Sequence, residues 1–415
     1  MHKSPVFYAI PFFLLLVAIE AIYGIVKKRK LYRLNDTITN ISLGIGSQVA
    51  GALFKSVLLA LYIYIHQHFV LYKLPVTWWS FILCLVLFDF LFYWAHRISH
   101  VSNFFWGAHV VHHQSEEYNL SVALRQSWIH NLIAFFIFLP IPFLGFDPIT
   151  FGIAAGIDSV YQFWIHTRTI GKLHPMVEYI FNTPSHHRVH HAINPRYLDK
   201  NYAGVFIIWD RIFGSFIEEE NPEEITYGIT TQLKSWNPLW ANWHYYHEMW
   251  QKATDMKTWK DKLCIIFAKP GWLPDYLGGI QIPLEVDRAT YSKYDADTDS
   301  FFKIYGTAQF IIVLAGSIAY LDHFSTITLF YKWFFAAVLL VSIMIIGAIF
   351  ERRSWIPWAE ILRLVLVLAS LNSYYFYWYS HWLIVTASIS VVLFVLSLVG
   401  FAISISKNRE QEIAS

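Results

Sequence analysis

Twelve of the 19 histidines in this 415-residue chain fall between residues 96 and 191, and their spacing is that of metal ligands. His96 and His100 stand four apart; His109, His112 and His113 follow, and His187, His190 and His191 repeat that second pattern. Residues three or four apart share a helix face, so each cluster is expected to aim two imidazoles, with a third close by, at one point. Neutral imidazole binds iron, copper, zinc or nickel. With His166, about nine imidazoles are available, more than one metal coordinates, and a two-metal centre is the expectation. A structural zinc site fits poorly, because it closes at four ligands and favours mixtures with cysteine. The two cysteines, Cys84 and Cys264, lie outside the clusters. Carboxylate-bridged di-iron bundles use Glu-x-x-His pairs; here histidine dominates.

The elements that must hold these residues are membrane helices. The sequence is 56% hydrophobic and 14% charged, where soluble domains carry about a quarter charged residues. A net charge of +2 with no long basic run excludes nucleic acid as a partner. Residues 5–26 are long enough to cross a bilayer, and the basic run Lys27–Lys30 follows them. A cleaved signal peptide has its charge before the apolar run, so this segment reads as an anchor with a cytoplasmic C-terminal end. Further spans are expected near 40–65, 75–95, 128–146, 148–166, 303–323, 325–350, 357–378 and 380–405. The fold expected is thus all-α, a polytopic transmembrane bundle of about nine spans. Alternation puts Arg97, Arg125, Arg168, Arg188, Arg352 and Arg353 on the side of the first basic run, while the opposite loops hold little beyond Lys73. Every histidine cluster then emerges at the cytoplasmic face, of a bacterial inner membrane or of the endoplasmic reticulum. Four segments are expected: anchor spans (1–74), a catalytic region (75–235), an interfacial amphipathic segment (236–300) and C-terminal spans (301–415).

Residues Phe88–His100, Trp106–Ser127, Gln162–Thr167 and Asn182–Phe216 resemble, in motif and order, the fatty acid hydroxylase/sterol desaturase superfamily of non-haem di-iron membrane enzymes. Within it they look most like the alkylglycerol monooxygenases, which cleave ether lipids with tetrahydrobiopterin. The resemblance implies an O2-dependent lipid monooxygenase with two Fe ions. Its ligands would be His96, His100, His109, His112, His113, His166, His187, His190 and His191, with His186 as a tenth candidate. Hydroxylation of an ether-linked carbon would give a hemiacetal that falls apart to an aldehyde and glycerol. A sterol, acyl chain or carotenoid would instead yield an alcohol or a double bond. Electrons must come from an external reductant or reductase, tetrahydrobiopterin being the donor the resemblance suggests. Two positions depart from the pattern. Ile170 stands four residues after His166, where some members carry a second histidine, and Val101 follows His100, where the ether-lipid enzymes are expected to carry Glu.

Around the ligands, Asp89, Tyr93, Asn119 and Asp210 are candidates to orient the imidazoles, Asp89 acting through Tyr93. Glu116 and Glu117 compete between such a role and a solvated loop. Arg125 and Arg188 are candidates to hold a phosphate or a reductant, unless they only mark topology. Residues 236–275 interleave Trp and Tyr with charge, as an interfacial segment does, and His244 and His247 read as part of it rather than as ligands. A membrane metal transporter, the alternative of another class, would place its ligands midway through spans; here they sit at span ends.

Overall fold

The computed structural model describes residues 5–220, 225–283, 286, 290–296, 298–378, 388 and 390–402. An apolar run in a bilayer must satisfy its backbone internally and therefore coils into helix. Six helices among the described residues have the length and hydropathy to cross a membrane. They include α1 (Pro5–Val26), α2 (Leu34–His68) and α3 (Trp78–Val101). The histidine clusters lie on or beside α3, α4 (Asn103–His113), α5 (Pro148–Trp164) and α6 (Pro184–His190). Two aromatic helices follow, α7 (Pro238–Thr254) and α8 (Trp259–Phe267).

The chain forms two compact units. The first holds residues 1–47, 51–233 and 242–293, and thus every histidine cluster. The second holds residues 48–50, 234–241 and 294–415, including α9 (Ser300–His323), α10 (Leu329–Phe350) and α11 (Ile356–Trp378). Its interior carries an ion pair, Arg363 Nε to Glu360 Oε2 at 2.6 Å, with Gln309 Oε1 accepting from Arg363 Nη2 at 2.7 Å.

Among the described residues six membrane-length helices stand where nine were expected, and two of the three differences have a physical cause. Residues 128–146 break into the short pieces His130–Ala134, Phe135–Phe138 and Pro140–Phe143. Pro140 and Pro142 lack a donor N–H, and Gly145 turns the chain at a φ of +94° that side chains resist. Helix α5 has 17 residues, about 26 Å at 1.5 Å per residue, short of a hydrocarbon core of about 30 Å. The last expected span, 380–405, lies largely outside the described residues; Ser390–Ala402 is a short apolar helix.

Helix α1 does more than anchor. Phe13 stacks on Phe163 of α5 at 4.1 Å. Glu20, buried within this otherwise apolar helix, accepts from Leu120 N at 2.8 Å and from the hydroxyls of Tyr32 and Thr167. Helix α3 starts on a Thr77–Ser80 capping box and buries a stripe running from Cys84 and Phe88 through Asp89 and Tyr93 to His96 and His100. That recurrence at three and four residues turns one face from apolar to ligating along a single helix. Ser102, in extended backbone, ends α3 and lets α4 pack against it. Asp147 caps α5 by accepting from Ile149 N at 2.8 Å, with Pro148 in the first turn.

Candidate metal centre

Nine of the ten candidate ligands converge on two points. His96, His100, His109, His113 and His190 form one group, and His112, His166, His187 and His191 the other. Within each group the ligand nitrogens lie within 4.8 Å of one another and every ring is buried. Histidines four apart stay together, as the sequence suggests. The third member of each triplet does not: His112 crosses from α4 to the four-histidine group, and His190 crosses from α6 to the five-histidine group. Neighbouring helix positions point about 100° apart, so His112 cannot aim where His113 aims. The expectation that each cluster feeds one point is thereby corrected.

Proton placement shows what these groups can hold. His112 Nδ1 lies 2.9 Å from the Arg125 carbonyl and His166 Nδ1 lies 2.7 Å from that of Gln162. A carbonyl only accepts, so both Nδ1 atoms carry the proton. Burial pushes His112 down to about 4 and holds His166 well below its usual range, so both rings are neutral. Their Nε2 lone pairs then face each other at 3.2 Å with no proton between them. The other group is built alike: His96 Nδ1 donates to Tyr202 O at 2.7 Å and His190 Nδ1 to Lys200 O at 2.9 Å. Burial, reinforced by the neighbouring imidazoles, also holds His109, His113, His187, His190 and His191 well below their ordinary values.

Converging lone pairs repel unless a cation sits among them, so both groups fit a metal. Neighbouring Nε2 atoms are 2.9–3.2 Å apart. Ligands at about 2.1 Å from a metal are about 3.0 Å apart at right angles and about 3.4 Å apart in a tetrahedron. The shortest contacts are thus compatible with nitrogens that share one metal.

The candidate orienting residues hold the segment that receives the Nδ1 protons. Asp210 accepts from Tyr202 N and Ala203 N, both at 2.8 Å, and from Ser215 Oγ at 2.7 Å. Asp89 accepts from Val205 N at 2.6 Å, Phe206 N at 3.2 Å and Trp209 Nε1 at 2.8 Å. Gly204 lets this happen, because a Cβ there would meet Asp158 and Asp89 oxygens at 2.8 and 2.9 Å. The expected relay from Asp89 through Tyr93 gives way to two separate braces on residues 202–215. The Tyr93 hydroxyl meets Ser215 Oγ and Arg97 Nη1, each at 2.8 Å. Asn119 lies farther out; it donates to Leu31 O at 2.8 Å and accepts from Ser121 N at 3.0 Å. Next to it, Tyr118 lays its ring against His166 and His191 and donates to Ile165 O at 3.0 Å.

Neither candidate phosphate-binding arginine faces outward. Arg125 is fully buried and donates to Val111 O at 2.7 Å, Asn40 Oδ1 at 2.9 Å and Gln114 Oε1 at 2.7 Å. Arg188 grips Glu219 with two bonds of 2.7 Å and the carbonyls of Thr167 and Ile170. Glu117 meets Arg33, Arg168 and Lys293, and Glu116 meets Arg33 and Gln232. His186 lies outside both groups, its Nε2 2.9 Å from Glu178 Oε2. His244 is also outside them, beside Gln114 at 3.3 Å. Sequence reasoning passed over Glu20, Asp158 and His130, whose ring lies 5.1 Å from that of His109. Each is a single residue in an apolar or irregular stretch, without a spacing partner to flag it. The acids in the apolar runs were the available signal.

Residues 81–215 match the family model described as fatty acid hydroxylase. Alkylglycerol monooxygenase of Homo sapiens is 37% identical over 372 residues, covering 87% of this chain and 81% of that protein. The Xenopus tropicalis protein of the same name is 34% identical, covering 86% of this chain and 80% of its own. Ornithine lipid hydroxylase OlsE of Rhizobium tropici is 27% identical over 169 residues, 40% of this chain and 50% of that protein. No solved structure matches the chain.

Proposed function

This chain belongs to the alkylglycerol monooxygenase family, and on that premise we propose that it is an O2-dependent, two-Fe membrane enzyme that hydroxylates the ether-linked carbon of an alkylglycerol lipid. The observation that carries this is the pair of buried all-imidazole groups with inward lone pairs. The nine histidines of the two groups are the proposed ligands, and His186 is not among them. When bound, the irons supply, with O2 and two electrons from an external donor for which tetrahydrobiopterin is the candidate, the power to turn C–H into C–OH with release of water.

The chain's own part is positional. The carbonyls of Tyr202, Lys200, Arg125 and Gln162 each hold an Nδ1 proton and so fix the opposite nitrogen as a ligand. Asp210 keeps Tyr202 in place, and Asp89 holds the chain at Val205 just beyond it. Burial keeps the rings neutral and water out. The hydroxylated ether carbon is a hemiacetal and separates into aldehyde and glycerol without further oxidation. His96 and His100 occupy the last turns of a membrane-length helix, which suits a lipid whose chain lies in hydrocarbon while its head group stays wet. The positive-inside pattern favours the cytoplasmic face.

Val101 favours a second reading, in which the lipid is a sterol, an acyl chain or a carotenoid, or the electron donor differs. The test is purified protein in lipid nanodiscs, assayed for iron and offered an alkylglycerol or a sterol, each with and without tetrahydropterin. Two irons per chain and pterin-dependent aldehyde from the alkylglycerol are expected. No retained iron in the nanodiscs, or metal flux without oxidation when the protein is placed in sealed vesicles, would overturn the proposal.

A further inference from the structure

Helix α8 presents an apolar stripe outward. Trp259, Leu263 and Phe267, spaced four apart on one face, are 80%, 62% and 68% exposed. The opposite face is fixed: Ile265 is buried, and α8 packs on α4. Asn103 clamps the end of α8, its N–H donating to Ala268 O at 2.8 Å and its side chain to Ile265 O at 2.7 Å. Asn103 comes two residues after the end of α3, so α8 is tied to the terminus of a membrane-length helix, where hydrocarbon gives way to head groups. On α7, in the same unit, Trp243 and Trp250 are also exposed, one heptad apart.

The charge around the stripe is predominantly positive. Lys257, Lys260, Lys262 and Lys269 flank it, against Asp261, whose carboxylate accepts from Thr258 and Tyr276 at 2.7 Å. The Lys262 ammonium lies over the Trp259 ring at 5.5 Å. Aromatic and aliphatic residues on one side with lysines beside them suit an anionic bilayer surface. A stripe this exposed is costly in water and satisfied at the acyl boundary.

We propose that α8 lies in the membrane interface as an anchor that prefers anionic lipid head groups, and that through Asn103 it sets the level of α4 and its three histidines. This deepens the proposed function by naming the lipid surface the centre works against, yet its test does not depend on iron or turnover. Cys264 sits on α8 and is exposed, while Cys84 is buried, so a nitroxide reagent labels α8 selectively. In nanodiscs, the label at Cys264 should collide with O2 several-fold more, relative to a water-soluble nickel chelate, than a label at Glu220→Cys in a Cys264→Ser background. The ratio should rise further in phosphatidylglycerol than in phosphatidylcholine. The Lys260→Gln/Lys262→Gln/Lys269→Gln variant should lose that difference between lipids. The Trp259→Ser/Leu263→Ser/Phe267→Ser variant should drift toward the solution value with its helix content intact by circular dichroism. Nickel access at Cys264 equal to that at the Glu220 site, in both lipids, would overturn the anchor and mark the stripe as a surface for a soluble partner.

Discussion

The two histidine groups share helices but not construction. The five-histidine group rests on two helical pairs, His96/His100 and His109/His113, with His190 added from α6. The four-histidine group has one helical pair, His187/His191, and takes His112 from α4 and His166 from just beyond α5. Its Nδ1 protons go to Arg125 and Gln162, while those of the larger group go to Tyr202 and Lys200. Because α4 and α6 each serve both groups, neither can assemble alone, yet one has an imidazole fewer. Ile170, four residues after His166, fits that shortfall. Redundancy should protect the larger group, and the smaller one should set how easily metal and activity are lost.

His112→Ala tests this with the largest expected effect. It leaves three imidazoles in the smaller group, and we expect loss of at least one iron per chain and a fall in activity beyond about 100-fold. His190→Ala leaves four in its group; activity should fall as well, but more iron should remain after dialysis against a chelator. Equal iron loss in the two variants would break the asymmetry, and full activity in His112→Ala would refute the ligand assignment.

The sequence carried the ligands better than their partition. The candidate imidazoles at i, i+4 spacing stay together in the two buried groups, because that relation survives any tertiary arrangement. Which member of a triplet crosses over depends on how α4 and α6 face each other, and no local pattern encodes that. At 128–146 the expected single span is divided for a similar reason: hydropathy averages over residues, whereas Pro140, Pro142 and Gly145 act singly. Arg125 read as a surface cation because its partners Asn40 and Gln114 are far away in sequence or hidden by composition. Asp89 was legible as an intramembrane acid, but its targets, the N–H groups of residues 205 and 206, lie 116 and 117 residues away.

Acid should expose how much the neutral rings cost without metal. His112 has a folded value of about 4 against an ordinary 6.5. Its contribution is therefore fully present above 6.5 and is lost as pH falls from 6.5 toward 4. The unfolded chain takes up the proton first, so this one residue removes about 3 kcal/mol across that window. The other buried ligands shift in the same direction. Chelator-treated protein should show a steep fall in its denaturation midpoint between those pH values, with iron-loaded protein falling at lower pH. A flat profile for the stripped protein would show that its rings do not stay buried and neutral.

Asp210→Asn separates the groups from the support side. The change replaces one carboxylate oxygen by an amide donor that faces Tyr202 N or Ala203 N, at a cost of about 1–3 kcal/mol. His96 loses its fixed carbonyl, so the five-histidine group should bind iron about 10-fold more weakly. The four-histidine group does not lean on Tyr202 and should keep its iron. Stepwise removal by a graded chelator series reads the two populations, and a parallel weakening of both would mean that the groups are coupled more tightly than their separate props imply.

His186→Gln should do least, and it decides whether the count of nine is right. His186 Nε2 faces Glu178, which burial pushes upward but which hydrogen bonds from His186, Leu173 N and Ser185 bring down to about 2. Glutamine keeps a donor toward that carboxylate, so stability should fall by no more than about 1–3 kcal/mol, the cost of one disturbed buried hydrogen bond. Iron content should match that of the parent chain, as it should in His323→Ala on α9, where the histidine meets the Ala319 carbonyl at 3.1 Å. If His186→Gln lost iron while His323→Ala kept it, His186 would be completing the smaller group in the working enzyme. The two groups would then be equal, and the difference between them would vanish.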